Sequence, residues 1–162
     1  MGNEAGEWIM CGVEDDDPCC IKTVEELIAY INEVGFLPLF KNDIAGFSVE
    51  ERTVSTYWWS GNERDPWAWR EVIARTGEVA YGKFFDKKAG FISKEWFPFF
   101  ANYRRNGYDF DARYDDELAS NRSKKIMDLF DDQKELYSFE IKKNAGFGKG
   151  GEKNFDGVMT EL

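Results

Sequence analysis

Histidine is absent from all 162 residues of the chain. That excludes His-based catalytic triads, His-containing zinc sites and the commonest general base near neutral pH. Cysteine is scarce and poorly placed for a scaffold: Cys11, Cys19 and Cys20 all fall within the first 20 residues. An odd number crowded at one end makes no disulfide framework, and no Cys-x-x-Cys spacing offers a metal knuckle, so these read as incidental thiols in a reducing compartment. No run of about 18 apolar residues is present, and the N-terminus lacks the basic-then-apolar order of a secretory leader. Met1-Gly2 opens like a myristoylation signal, but Gly6 stands where Ser or Thr is required. The expectation is a soluble, unanchored cytoplasmic protein with no membrane partner.

Basic residues are the minority, 21 against 31 acids, for a formal charge of −10. Much of that excess sits at one end, because residues 1–20 hold six acids and no Lys or Arg, which leaves −4 for the rest. Between Lys83 and Arg105 the sign reverses: Lys83, Lys87, Lys88, Lys94, Arg104 and Arg105 face only Asp86 and Glu95, a local +4. From Lys142 to Lys153 four lysines face only Glu152. Most such side chains are solvated surface. The set that could meet phosphates is Lys83, Lys87, Lys88, Arg104 and Arg105.

Aromatic residues make up 17% of the chain, well above ordinary usage, so Phe and Trp are expected to dominate the core and leave rings over for a surface or pocket. Helix signals punctuate the sequence. Thr23 and Glu26 form a capping box, Val24, Leu27, Ile28, Ile31 and Val34 share one face, and Gly35 stops the helix. Asp65 can accept from the amides of a first turn, Pro66 suits the first helical position and Gly77 follows the last periodic residue, which predicts a helix over 66–76. The apolar stretch 36–40, split by Pro38, suits a buried segment at a sheet edge. Ser48 and Glu51 repeat the capping-box spacing and predict a short second helix.

Stretches 79–85 and 91–93 flank a five-residue loop, 86–90, and predict a β-hairpin with its basic residues at the tip. A helix is expected over 95–105, with Pro98 in its first turn and Gly107 as the stop, followed by a loop over 108–118. Helices at 124–130, at 139–145 with Ser138 as cap and Gly146 as stop, and at 155–162 then follow in the order of a helix-turn-helix. The fold class expected is α+β, mainly helical, with a small antiparallel hairpin or sheet and an incomplete winged-helix end. Its layout is a flexible acidic lead-in (1–20), an aromatic-rich core (21–118) and a helix-turn-helix-like segment (119–162) packed on that core as one domain.

Several motifs fail on context. Gly146-Phe147-Gly148-Lys149-Gly150-Gly151 matches Gly-x-Gly-x-x-Gly by letter, but a helix precedes it and the chain stops before an acid about 20 residues on, so it reads as a flexible turn. Asp109 to Glu117 has the acids of a calcium loop, yet Arg113 and Tyr114 occupy positions that need an oxygen ligand and a glycine. With 31 carboxylates, pairs suited to acid–base chemistry arise by chance. The residues therefore nominate no catalytic group, no metal site and no cofactor.

The chain is organised around Asp65-Pro66-Trp67-Ala68-Trp69-Arg70. At about 100° per residue Trp69, Val72, Ile73 and Thr76 share a face, whereas Trp67 points the other way with Glu71 and Ala74. Trp58 and Trp59, if extended, also project oppositely. One core is not expected to hide all four indoles. Trp58, Trp59, Trp67 and Arg70 are thus the candidates for a pocket taking a small aromatic or anionic molecule. Rings near Arg70, Lys83, Arg104 and Arg105 could equally stack bases beside cations for phosphates.

Leu37-Pro38-Leu39-Phe40, Trp58-Trp59, the 65–70 stretch, Tyr81-Gly82-Lys83, Gly90-Phe91-Ile92-Ser93, Trp96-Phe97-Pro98 and Tyr103-Arg104-Arg105-Asn106-Gly107-Tyr108 together resemble the AlkZ-related proteins, over roughly residues 21 to 162. These are relatives of the winged-helix DNA glycosylases that unhook interstrand crosslinks. The resemblance implies a winged-helix-type end and DNA as a partner. It does not carry catalysis over: those glycosylases have a Gln-x-Asp or Gln-x-Gln motif, and the single glutamine here, Gln133, is followed by Lys134 and Glu135. The last helix, with Asp156 and Glu161, is also a poor recognition helix. Members of the group run on past this point, so Leu162 is expected to be a truncated end.

Overall fold

The computed structural model describes residues 10–162; the first nine residues of the acidic lead-in, with the Met1-Gly2 opening, lie outside the described residues. The chain is α+β, with seven α-helices and one three-stranded antiparallel sheet among the described residues. It divides into two compact units, up to Ala101 and from Asn102, a division upstream of the 118/119 boundary expected from the sequence.

In the first unit, helix α1 (Val24–Val34) is capped as its sequence dictates. Thr23 accepts from Glu26 N, the Glu26 carboxylate accepts from Lys22 N at 2.7 Å, and Gly35 leaves the helix at φ +79°. Strand β1 (Phe36–Pro38) follows, then helix α2 (Pro66–Thr76), strand β2 (Val79–Phe85) and strand β3 (Lys88–Ser93), with sheet order β1-β3-β2. Pro38 lies on an edge strand, where one ladder donor fewer is tolerated. Leu27 and Ile31 of α1 and Ile73 of α2 bury against Leu37 and Phe91 of the sheet.

The hairpin turn is shorter than the five-residue loop the sequence suggests. Asp86 and Lys87 alone make it, both left-handed at φ +47° and +67°, and Lys88, Ala89 and Gly90 pair into β3. Two consecutive positive φ values match the twist of the strands they join, and an irregularity between Gly82 and Phe85 absorbs the spare residue.

That irregularity also builds a second layer. Gly82 and Gly90 are cross-strand partners, so any side chains there would share a face. The Phe84 ring lies 2.7 Å from where a Gly82 Cβ would be, and the Phe85 ring 2.3 Å from that of Gly90. Both rings cover the glycines on one side of the sheet, and Phe84 meets Phe100 at 5.4 Å between centroids.

Two expectations need correction here. Ser48 and Glu51 do bond reciprocally, at 2.7 and 3.2 Å, but they cap only a 3-10 turn, Glu50–Arg52, because Thr53 is extended at φ −133° and β-branched residues follow. Residues 10–20, expected to be flexible, are tied down by their main chain. Cys11 N donates to Glu50 Oε1 at 2.8 Å, Val13 N to Thr53 O at 3.1 Å, and Asp15 pairs with Arg64. A Cβ on Gly12 would fall 2.4 Å from Ser55 N, so only glycine allows that approach.

The second unit begins inside helix α3 (Phe97–Arg104) and continues with helices α4 (Phe110–Asp115), α5 (Asn121–Met127), α6 (Ser138–Asn144) and α7 (Phe155–Glu161). The expected loop over 108–118 contains α4, which Asp109 caps by accepting from Ala112 N at 2.8 Å. Helix α5 starts earlier than expected because Ser120 accepts from Ser123 N at 3.1 Å, and it ends in a 3-10 turn, Asp128–Phe130. Ser138 is the first residue of α6 and not its cap; the Glu140 carboxylate accepts from Tyr137 N at 3.0 Å. The glycine-rich turn is closed by Gly148 N to Glu152 O at 3.2 Å and Glu152 N to Gly146 O at 2.9 Å. Ile126, Ile141, Phe147 and Val158 form the core of this unit.

Candidate functional site

The centre of the first unit is a buried acid. Asp65, only 3% exposed, accepts from three main-chain amides: Trp59 N at 3.0 Å and Trp67 N at 2.9 Å through Oδ1, and Gly61 N at 3.0 Å through Oδ2. One carboxylate therefore caps α2 and folds the preceding loop back over its first turn. Trp59 takes φ +58° as a result, a strained conformation for a large side chain.

The kink gives the neighbouring indoles different exposures. Trp58 is sealed in the core at 5% exposure and donates its Nε1–H to Thr53 Oγ1 at 2.9 Å, while Trp59 is 50% exposed. The two rings do not project oppositely, as an extended pair would: the left-handed Trp59 breaks strand alternation, and their centroids lie 5.8 Å apart, one buried and the other half-exposed. Trp58 consequently presents no face to a ligand.

Helix α2 behaves similarly. Trp69 is buried and donates to Glu63 O at 2.8 Å. Val72, placed on the same face by periodicity, is exposed. Trp67 is not cast out to a separate layer: it is half-buried at the margin of the same core, 6.3 Å from Phe40 and 6.0 Å from Trp59, because the folded-back loop supplies a wall for it.

Arg70 completes the cluster. Its guanidinium carbon lies 3.2 Å from the Trp67 ring centroid, Nε donates to Trp67 O at 2.6 Å and Nη1 to Tyr81 Oη at 3.1 Å. No carboxylate pairs with it among the described residues. Trp59, Trp67 and Arg70 thus form a shelf with one half-exposed indole beside a fixed, uncompensated cation.

Of the phosphate candidates, Lys83 in β2, Lys87 in the turn and Lys88 at the start of β3 share one hairpin; all are exposed, and none has a carboxylate partner among the described residues. Arg104 ends α3 and Arg105 follows it, both in the second unit. The acids that do shift are surface partners: Arg64 holds Asp15 below the usual carboxylate range, and Lys125 does the same for Glu152. Burial pushes the Cys20 thiol up. No group of three or more His, Cys, Asp or Glu suited to a metal ion occurs among the described residues.

Sequence reasoning missed two features. Arg64 lies 4.4 Å over the Tyr57 ring and joins Asp15 to the core, a link across 49 residues that no local pattern signals. Trp96, Phe97 and Phe99 form an exposed aromatic ridge. That one was legible, since Trp96-Phe97-Pro98-Phe99-Phe100 spans more than one turn and cannot turn every ring inward.

A family model described as AlkZ related matches residues 21–162. The chain belongs to the AlkZ-related family. No curated protein and no solved structure matches it. In this AlkZ-related chain the 65–70 stretch builds the indole shelf, Gly90-Phe91-Ile92-Ser93 lies in β3, and Trp96-Phe97-Pro98 leads into α3. Gln133 lies between the 3-10 turn and α6, on the surface. No helix among the described residues is long and apolar enough to cross a membrane.

Proposed function

We propose that the chain is a non-catalytic binding protein that associates with nucleic acid. The observation that supports this most is the hairpin carrying Lys83, Lys87 and Lys88, exposed and without carboxylate partners among the described residues. Such cations hold exchangeable counterions, which is what a phosphate backbone displaces. Arg104 and Arg105, in the second unit, are proposed as phosphate contacts of that unit by itself. The reading of 119–162 as an incomplete winged-helix end is also part of the proposal and rests on the order α5, α6, α7; the acids Asp156 and Glu161 speak against phosphate contacts from α7 itself. Catalysis is left out because Gln133 lacks the glycosylase partner residue.

The test is DNA binding as a function of salt. Affinity is expected to fall linearly on a log–log plot, and replacing Lys83, Lys87 and Lys88 together by Gln is expected to reduce the slope by about 2–3. No binding to any DNA at low salt sinks the reading.

A second reading is favoured by Arg70: the shelf of Trp59, Trp67 and Arg70 takes a small flat anion. Benzoate is expected to quench tryptophan fluorescence saturably, with Arg70→Gln weakening it roughly 10-fold or more, the value of a charge-assisted hydrogen bond. Equal quenching of both proteins would remove Arg70 from the site.

A further inference from the structure

The sheet's second face ends in an open ridge. Trp96 is 49% exposed but braced from behind: its ring lies 2.8 Å from where a Gly35 Cβ would stand, and 5.7 Å from Phe36 between centroids. Phe99, 68% exposed, is 6.1 Å from Trp96 at an interplanar angle of 60°. Phe97 is braced by Phe84 at 5.9 Å. Trp96 and Phe97 are fixed from beneath and open above, so a ligand that covers them finds much of their rotamer entropy already lost, and Phe99 extends the surface from the edge of Trp96. Exposed aromatic groups of this kind mark interaction surfaces.

Charge selects the occupant. Lys94 stands two residues before Trp96, exposed and with no carboxylate partner among the described residues, as are Lys83, Lys87 and Lys88. In a chain of net charge −10 this is a local reversal, complementary to a polyanion. A duplex keeps its bases stacked internally and presents phosphates, leaving the rings without a partner. A single strand presents both phosphates and unpaired π faces.

We infer that the nucleic acid bound by this chain is single-stranded, with unpaired bases stacked on Trp96 and Phe99 and phosphates met by Lys94, Lys87 and Lys88. The inference rests on the nucleic-acid reading above and specifies its substrate. The ridge contributes affinity without sequence preference, because every base has a stacking face.

The test is fluorescence anisotropy at low salt with the full chain and three labelled probes: oligodeoxythymidylate, a duplex of equal length, and polyglutamate. The single strand is expected to bind tightest. The double variant Trp96→Ala with Phe99→Ala is expected to weaken it about 30-fold or more while leaving duplex binding unchanged. Phe99→Ala alone, at a surface ring, gives a smaller loss in the same direction should the double variant fold poorly, and Trp96→Phe is expected to retain most of the affinity. Single strand and duplex bound equally, with the variants unchanged, would overturn this inference and leave the broader reading standing. Polyglutamate bound as tightly as the single strand and weakened by the same variants would overturn it in favour of an acidic peptide. Failure of every probe to bind overturns both.

Discussion

Asp65→Ala is expected to destabilise the first unit by about 3–5 kcal/mol, because a missing helix cap costs about 1 kcal/mol and each partly buried donor left unpaired about 1 or more. The carboxylate is 3% exposed and serves Trp59 N, Gly61 N and Trp67 N, so one truncation strands all three amides. The sum falls short of the separate penalties because the loop can reopen and let water in. Reopening also releases Trp59 from φ +58°, so its indole leaves Trp67 and the shelf disperses. All six tryptophans precede Asn102, so their fluorescence during urea unfolding reports on this unit alone. Asp65→Asn, which keeps one acceptor oxygen but turns an NH2 group towards an amide, is expected to lose an intermediate amount. A loss below about 1 kcal/mol for the alanine variant would mean that ring packing, and not the acid, holds the loop.

Glu50→Ala carries the second large effect, about 2–4 kcal/mol, through a different consequence. Glu50 is fully buried and accepts from Cys11 N at 2.8 Å and from Lys41 N at 2.9 Å. Removing it leaves two partly buried amides unpaired and unpins residues 10–20 from the 3-10 turn. Cys11, half-buried and within 3.6 Å of Lys41 Nζ, is then open to alkylation, while Cys19, already exposed, serves as the internal reference. The ratio of the two modification rates, read by mass spectrometry, is expected to rise severalfold. An unchanged ratio would mean that Val13 N to Thr53 O and the Asp15 pair with Arg64 suffice to hold the segment.

What the sequence disclosed follows from what each element depends on. Helix α1, helix α2 and the edge position of β1 rest on nearest-neighbour chemistry, Thr23 with Glu26, Asp65 before Pro66, and Pro38, all visible as letters at fixed spacing. The anchoring of residues 10–20 rests on main-chain bonds to Glu50 and Thr53, which no side-chain pattern records. What packs on Trp67 was not legible because periodicity describes a helix alone, whereas its surroundings are set by a loop that Asp65 folds back from outside the helix. Helix α4 was overlooked although Asp109 announces it, since six residues are too few for a period to emerge. The Trp58 and Trp59 pair shows the same limit: alternation sends neighbouring rings to opposite faces only in an extended segment, and the left-handed φ at Trp59, which leaves the rings 5.8 Å apart, is not written in the letters.

The paired glycines of the hairpin have one more effect. Phe84 and Phe85 need two vacancies directly opposite each other, and only the alignment of Gly82 with Gly90 supplies them. Sliding one strand by two residues keeps every side chain on its proper face, so the usual penalty against slippage is weak. Here the slide would set Gly82 across from Ile92 or Lys88 and drive a side chain into the space of a phenyl ring. The missing atoms act as a key that admits a single alignment, and the strands cannot zip together in any other without evicting the rings above them.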